Sequence, residues 1–72
     1  MKVSVIVIGD ELLIGQVTDT NSGWIARHIS PWGWEVCEVQ TVSDCAGDIR
    51  RAIDRGFERA QVVLTTGGFG SN

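Results

Sequence analysis

Apolar residues fall into three short dense runs along this chain, separated by two stretches of helical spacing. Residues 3–8, Val-Ser-Val-Ile-Val-Ile, are mostly β-branched, the pattern of a central parallel strand buried on both faces. Residues 35–42 alternate instead, with Val36, Glu38 and Gln40 on one side and Cys37, Val39 and Thr41 on the other, which predicts a less buried strand. Residues 61–65, Gln-Val-Val-Leu-Thr, predict a short buried third strand.

Between the first two runs, Trp24, Ile25, His28 and Ile29 lie on one helical stripe. Asp19, Thr20 and Asn21 are all good caps for its start, and Pro31 and Gly33 stop it near Ser30. Between the second and third runs, Ile49, Ala52, Ile53, Gly56, Phe57 and Ala60 recur at three- and four-residue steps, with Ser43 or Asp44 as cap. Residues 9–21 read as a long loop turned at Gly15, with Leu12, Leu13 and Ile14 tucked against the sheet. The order β-α-β-α-β predicts an α/β fold with a parallel sheet and right-handed crossovers.

At 72 residues the chain holds at most one small domain. A chain of this size buries only about 60% of its unfolded surface, so its stability is expected to be marginal. A net charge of −3 argues against a nucleic-acid partner. Arg50, Arg51, Arg55 and Arg59 cluster, but Asp48, Asp54 and Glu58 are interleaved with them, as on a solvated helix face. Asp48 with Arg51, and Arg55 with Glu58, are spaced to pair along that helix. The apolar run behind Met1 and Lys2 is too short for a signal-peptide core or a membrane span. Cys37 and Cys45 form no CxxC and the chain has one histidine, so a zinc site is not expected; the cytoplasm, with both thiols reduced, is.

The chemistry concentrates at the end of the chain. Thr66-Gly67-Gly68-Phe69-Gly70-Ser71-Asn72 follows the third strand, where glycine lets backbone N–H groups turn toward an anion and lets a ligand approach the main chain. Ligands of open α/β sheets bind beyond the carboxyl ends of the strands. A parallel sheet brings Asp10 and Glu11, then Asp44, then residues 66–71 to that one edge, with Asp19 in the same long first loop. Acids facing an anion turn call for a divalent cation bridging carboxylate and phosphate oxygens. Each of these residues also has a plain alternative: a cap for Asp19 and Asp44, a solvated loop for Asp10 and Glu11, an ordinary strand-ending turn for the glycines. His28 reads as a helix-face residue and the tryptophans as packing, with an exposed Trp32 marking an oligomer contact.

The chain resembles the CinA-like (competence/damage-inducible protein A) family, within the wider molybdopterin-binding family of MoaB/MogA-type proteins. Three blocks carry the resemblance in order and spacing: Gly9-Asp10-Glu11-Leu12-Leu13-Ile14-Gly15-Gln16 with Asp19-Thr20-Asn21, then Thr41-Val42-Ser43-Asp44, then Thr65-Thr66-Gly67-Gly68-Phe69-Gly70. The resemblance implies a three-layer α/β/α domain, of which residues 1–72 would be the N-terminal half. It implies a phosphate-bearing ligand, nucleotide or pterin, at Thr66, Gly67, Gly68, Gly70 and Ser71, with Asp10 and Glu11 in the first-strand loop and Asp44 as a functionally important, catalytic acid. It also implies hydrolysis of a pyrophosphate bond of the ADP-ribose type with Mg²⁺ or another divalent cation held by Asp10 and Asp44. Molybdopterin handling in molybdenum cofactor biosynthesis is the alternative chemistry. The acidic pair that such domains carry after the glycine turn is not in this chain, so little catalysis is expected from it alone. A catalytically inactive module that binds or self-associates as a homo-oligomer is the non-enzymatic alternative. A flavodoxin-like nucleotide-binding domain would keep the fold but lacks support, because no GxGxxG follows the first strand.

Overall fold

The apolar run near the amino terminus becomes the middle strand of a three-stranded parallel sheet. In the computed structural model, which describes residues 1–67, β1 (Lys2–Ile8) lies between β2 (Glu35–Val42) and β3 (Val62–Gly67). Its pleat divides the core in two. Val3, Val5 and Val7 pack with Ile29 and Ile25 of α2 (Asn21–Ile29) on one face. Ile6 and Ile8 pack with Ala52, Ile49 and Ile53 of α3 (Ala46–Arg59) on the other. Every residue from Val3 to Ile8 is buried. Full burial of a valine or isoleucine contributes about 1.5–3 kcal/mol, so β1 is the main source of stability in so small a core. Helices on opposite faces of a sheet ordered β2-β1-β3 give the three-layer α/β/α arrangement and the parallel pairing expected from the alternation of elements.

Several local expectations are corrected. Residues 9–21 are not all loop: Asp10–Leu13 form a one-turn helix, α1, extended by Gln16 N–H donating to the Glu11 carbonyl at 2.9 Å. Asp10 and Glu11 suit its positive end, but one turn is too short to leave a periodic signal. A single turn also presents only one side to the sheet. Leu12 takes it, and Leu13 and Ile14 are exposed rather than tucked in. In β2 a bulge sets Val3 opposite Val36 but Ser4 opposite Glu38, making Cys37 the extra residue. Val36 therefore joins the α2 side of the core, whereas Val42 packs on the α3 side and Gln40 donates to the Ala52 carbonyl at 2.9 Å. β3 is an edge strand and half-buried rather than buried.

The helices keep their apolar stripes in narrower form. Trp24 is exposed and stacks on His28, ring centroids 3.7 Å apart, while Ile25 and Ile29 face inward. A 3₁₀ turn at Ser30–Trp32 and Gly33 at φ 80° end the first crossover. Trp34 packs on the core and Trp32 stays exposed. α3 meets the sheet through Gly56, which turns Phe57 outward, so Phe57 is exposed and not part of the buried face. Neither Ser43 nor Asp44 caps α3; its N-cap is Cys45, and the Ser43 hydroxyl donates to Asp48 at 2.5 Å. Asp48 pairs with Arg51 as spaced, but Arg55 pairs with Glu38 of β2 at 3.4 Å rather than with Glu58, and Arg59 lies 3.7 Å from the same carboxylate.

A Cβ on Gly56 would lie 2.9 Å from Val63 Cγ2 and 3.0 Å from Ser4 Oγ, both short side chains with little room to move. Overpacking of this kind costs about 1–3 kcal/mol, against at most about 1 kcal/mol gained in helix propensity. Gly56→Ala is expected to lower stability in urea titrations. Gly47→Ala, whose nearest neighbour is an Arg51 guanidinium nitrogen at 3.5 Å, is expected to raise it by about 0.5 kcal/mol.

Candidate functional site

The three strands end level. Ile8 pairs with Val42 on one side and Gly67 on the other, and Gly9 N–H donates to the Val42 carbonyl at 3.0 Å. From β1 the chain crosses to β2; from β2 it returns past β1 to β3, so the order reverses between β1 and β3. A crevice at the carboxyl ends beside such a reversal is where open α/β sheets bind ligands. A cleft of about 170 Å³ lies there, lined by Ile8, Gly67, Glu11, Leu12 and residues 17–21.

Gly67 occupies this position for two physical reasons. Its φ of 86° is left-handed, and a Cβ would sit 2.3 Å from the Ile8 carbonyl oxygen. Close approach to β1 therefore demands glycine at this position. Thr66 precedes it on the α2 face of the sheet, in the same alternation as Val62 and Leu64. Its Oγ1 accepts a hydrogen bond from the side-chain amide of Asn21 at 3.3 Å. Gly68, Gly70 and Ser71, expected to share in ligand binding, lie outside the described residues.

Asp19 organises the opposite wall. Its Oδ1 accepts from the backbone N–H of Asn21 at 3.0 Å and of Ser22 at 3.2 Å, and Oδ2 accepts from the Ser22 hydroxyl. The Ser22 hydroxyl is the largest cause holding this carboxyl below the ordinary value of 3.8; partial burial opposes it, and the two N–H groups add to it. Asp19 thus performs the capping role read from its residue type. It occupies the donors at the start of α2 that would otherwise face a ligand.

The acids of the other loops divide into two places. Glu11 lines the cleft together with Gly67. Asp10 is joined instead to the β2 side, where its Oδ1 accepts from the backbone N–H of Asp44 at 3.2 Å, and both residues are exposed. Among the described residues, no three His, Cys, Asp or Glu side chains come together as a metal cage. Mg²⁺ does not require one, since it is bound by one or two carboxylates with water and substrate phosphate completing the shell. The one tie between Asp10, at the start of α1, and Asp44 uses the Asp44 backbone and leaves the Asp44 carboxylate outside that hydrogen bond. A larger groove of about 390 Å³ opens beside α3, but Arg51 and Arg55 on its wall are already paired with Asp48 and Glu38.

Residues of the cleft wall missed from the sequence are Val17, Thr18, Thr20 and Asn21, whereas Asp19 was among the candidates. Asn21 was legible only as a helix cap, because its partner Thr66 lies 45 positions away.

Comparison with known proteins identifies the family and the fold. The model of a family described as a probable molybdopterin binding domain matches residues 4–72. A CinA-like protein of Salinibacter ruber is 44% identical over 70 residues, covering 97% of this chain and 17% of that protein. A putative competence-damage inducible protein of Clostridium novyi is 39% identical over 70 residues, with the same two coverages. The crystal structure of the protein CinA with unknown function from Thermoplasma acidophilum superposes with a TM-score of 0.89 at 30% identity, covering 96% of this chain and 41% of that one. The chain thus spans under one fifth of these two relatives and under half of the solved one.

Because the folded-state pKa of Asp19 is depressed, its contribution is complete above 3.8 and is lost as pH falls through the lower folded value. Asp19→Ala is expected to cost about 0.5–2 kcal/mol near neutral pH. Urea titrations at pH 6 and pH 3 should show the gap between wild type and variant narrowing in acid. An undiminished gap would mean that Asp19 acts through packing alone.

Proposed function

The chain belongs to the family of probable molybdopterin binding domains, and from that premise we propose that it binds a phosphate-bearing small molecule, nucleotide or pterin, in the cleft between β1 and β3. One observation carries the proposal: the switch-point cleft has Gly67 on its wall, with the Thr66 hydroxyl beside it at the start of the glycine turn. Phosphate would be gripped by backbone N–H groups of the turn and by hydroxyl donors, whose hydrogen bonds to an ionised oxygen are about twice as strong as neutral ones.

The wider activity is proposed for the longer protein. There the bound group is a diphosphate of the ADP-ribose type: water attacks one phosphorus, the bond to the bridging oxygen breaks and the second phosphate leaves, with Asp44 acting from the β2 side of the same sheet edge. Asp10 and Asp44 would hold Mg²⁺ or a similar cation, which supplies charge neutralisation at the phosphates when bound. The protein's own residues act by positioning: the glycine turn fixes the phosphates, and the Asp10–Asp44 contact keeps the β1 and β2 loops in register. Two exposed free thiols, Cys37 and Cys45, favour the cytoplasm.

Titration of the chain with ADP-ribose in the presence of Mg²⁺, followed by amide chemical shifts, is expected to move Glu11, Thr66 and Gly67 first. Shifts confined to the α3 groove around Arg51 and Arg55, or none, would reject the cleft as the site.

A second proposal, self-association, is favoured by the sheet itself. Among the described residues β2 and β3 each pair only with β1, leaving their outer edges free to join another copy. Sedimentation velocity is expected to show a dimer or larger species; a monomer across the accessible concentration range would remove this reading.

A further inference from the structure

We infer that Asn21 is a positioning residue that presets the Thr66 hydroxyl as a donor to the ligand's phosphate. Its role in binding rests on the cleft being a diphosphate site, as proposed above. The hydrogen bond from Asn21 Nδ2 to Thr66 Oγ1, at 3.3 Å, is the only side-chain hydrogen bond joining α2 to β3 among the described residues. A hydroxyl has one hydrogen to give and two lone pairs with which to accept. The amide nitrogen only donates, so it occupies a lone pair of Thr66 and leaves that hydroxyl's own hydrogen unspent. With its rotamer held from the α2 side, Thr66 presents the hydrogen next to the left-handed bend at Gly67.

The surroundings of Asn21 point the same way. An asparagine at a helix start is ordinarily explained by capping. Here Asp19 already satisfies the N–H groups of both Asn21 and Ser22, so the helix makes no demand on the Asn21 side chain. Asp19 also anchors the Asn21 backbone, and the Ser22 hydroxyl anchors Asp19. The result is a chain of fixed partners running from Ser22 through Asp19 and Asn21 to Thr66. Asn21 is also part of the cleft lining, so the tether to Thr66 belongs to the same site. A tether needed only for stability would not have to be placed against the hydroxyl that adjoins Gly67.

The test uses the 72-residue chain with inorganic pyrophosphate as ligand, comparing wild type, Asn21→Ala, Thr66→Val and the double variant by calorimetry. In parallel, three-bond couplings to the Thr66 methyl carbon report its rotamer without ligand. One rotamer is expected in wild type and averaged couplings in Asn21→Ala. Loss of one hydrogen bond to a charged oxygen should weaken pyrophosphate about tenfold in either single variant. The double variant should be no weaker than Thr66→Val, since Asn21 acts through Thr66. If Asn21→Ala binds as wild type while Thr66→Val is weakened, the positioning role is wrong and the anion site stands. Additive losses in the double variant likewise overturn it. No binding by wild type defeats the diphosphate site and the ligand role of Asn21 together. Should Thr66→Val fail to fold, the couplings and affinity of Asn21→Ala decide alone.

Discussion

Burial of β1 on both faces is the constraint from which the other positions follow. Its valines point to α2 and its isoleucines to α3, so neither helix can be lost without exposing half of the core. A one-residue slip of a strand exchanges its two faces, and here both faces are apolar but unlike in shape. Ser4 is the small residue over which Gly56 fits, and the valines meet Ile25 and Ile29. Register is therefore set by shape as much as by polarity. That register decides that Ile8 ends beside both Val42 and Gly67, which is what brings the loops after all three strands to one edge.

The long-range plan was legible because it depends on periodicity alone. β1 announced itself by continuous β-branched residues, α3 by apolar steps of three and four, and the parallel order by their alternation. What could not be read has particular causes. α1 is a single turn, below the length at which a period is detectable, so Leu13 and Ile14 looked like buried residues. The bulge at Cys37 breaks the alternation of β2 without any change of residue type to mark it. Phe57 has the right spacing for a buried face, but its neighbour Gly56 takes the contact with the sheet. Within the candidate site, residue types suggested Asp10, Glu11, Asp44 and the glycines as one group. The separation of Glu11 from the Asp10–Asp44 pair is a matter of tertiary placement, as is the meeting of Asn21 with Thr66.

Electrostatics gives the cleft an uncommon character for an anion site. Among the described residues no Lys or Arg lines it, while Glu11 and Asp19 do. Asp19 accepts three hydrogen bonds, which stabilise its ionised form and leave its repulsion toward a phosphate to be offset by other groups. Arg51, Arg55 and Arg59 of α3 are paired with Asp48 and Glu38 on the opposite face of the sheet. Recognition in the proposed site then depends on oriented dipoles and on any cation that accompanies the ligand.

The contact between Gly67 and the Ile8 carbonyl has a consequence for energetics. The bend that would grip a ligand is also the last rung of the ladder between β3 and β1, so the two share one set of backbone positions. A molecule held at the bend cannot leave the outer strand free to fray. Occupancy and cohesion are then coupled: at a concentration one hundred times its dissociation constant, a ligand would add about 2.7 kcal/mol to the native state. For a chain with so small an interior, an increment of that size rivals the burial of a whole isoleucine.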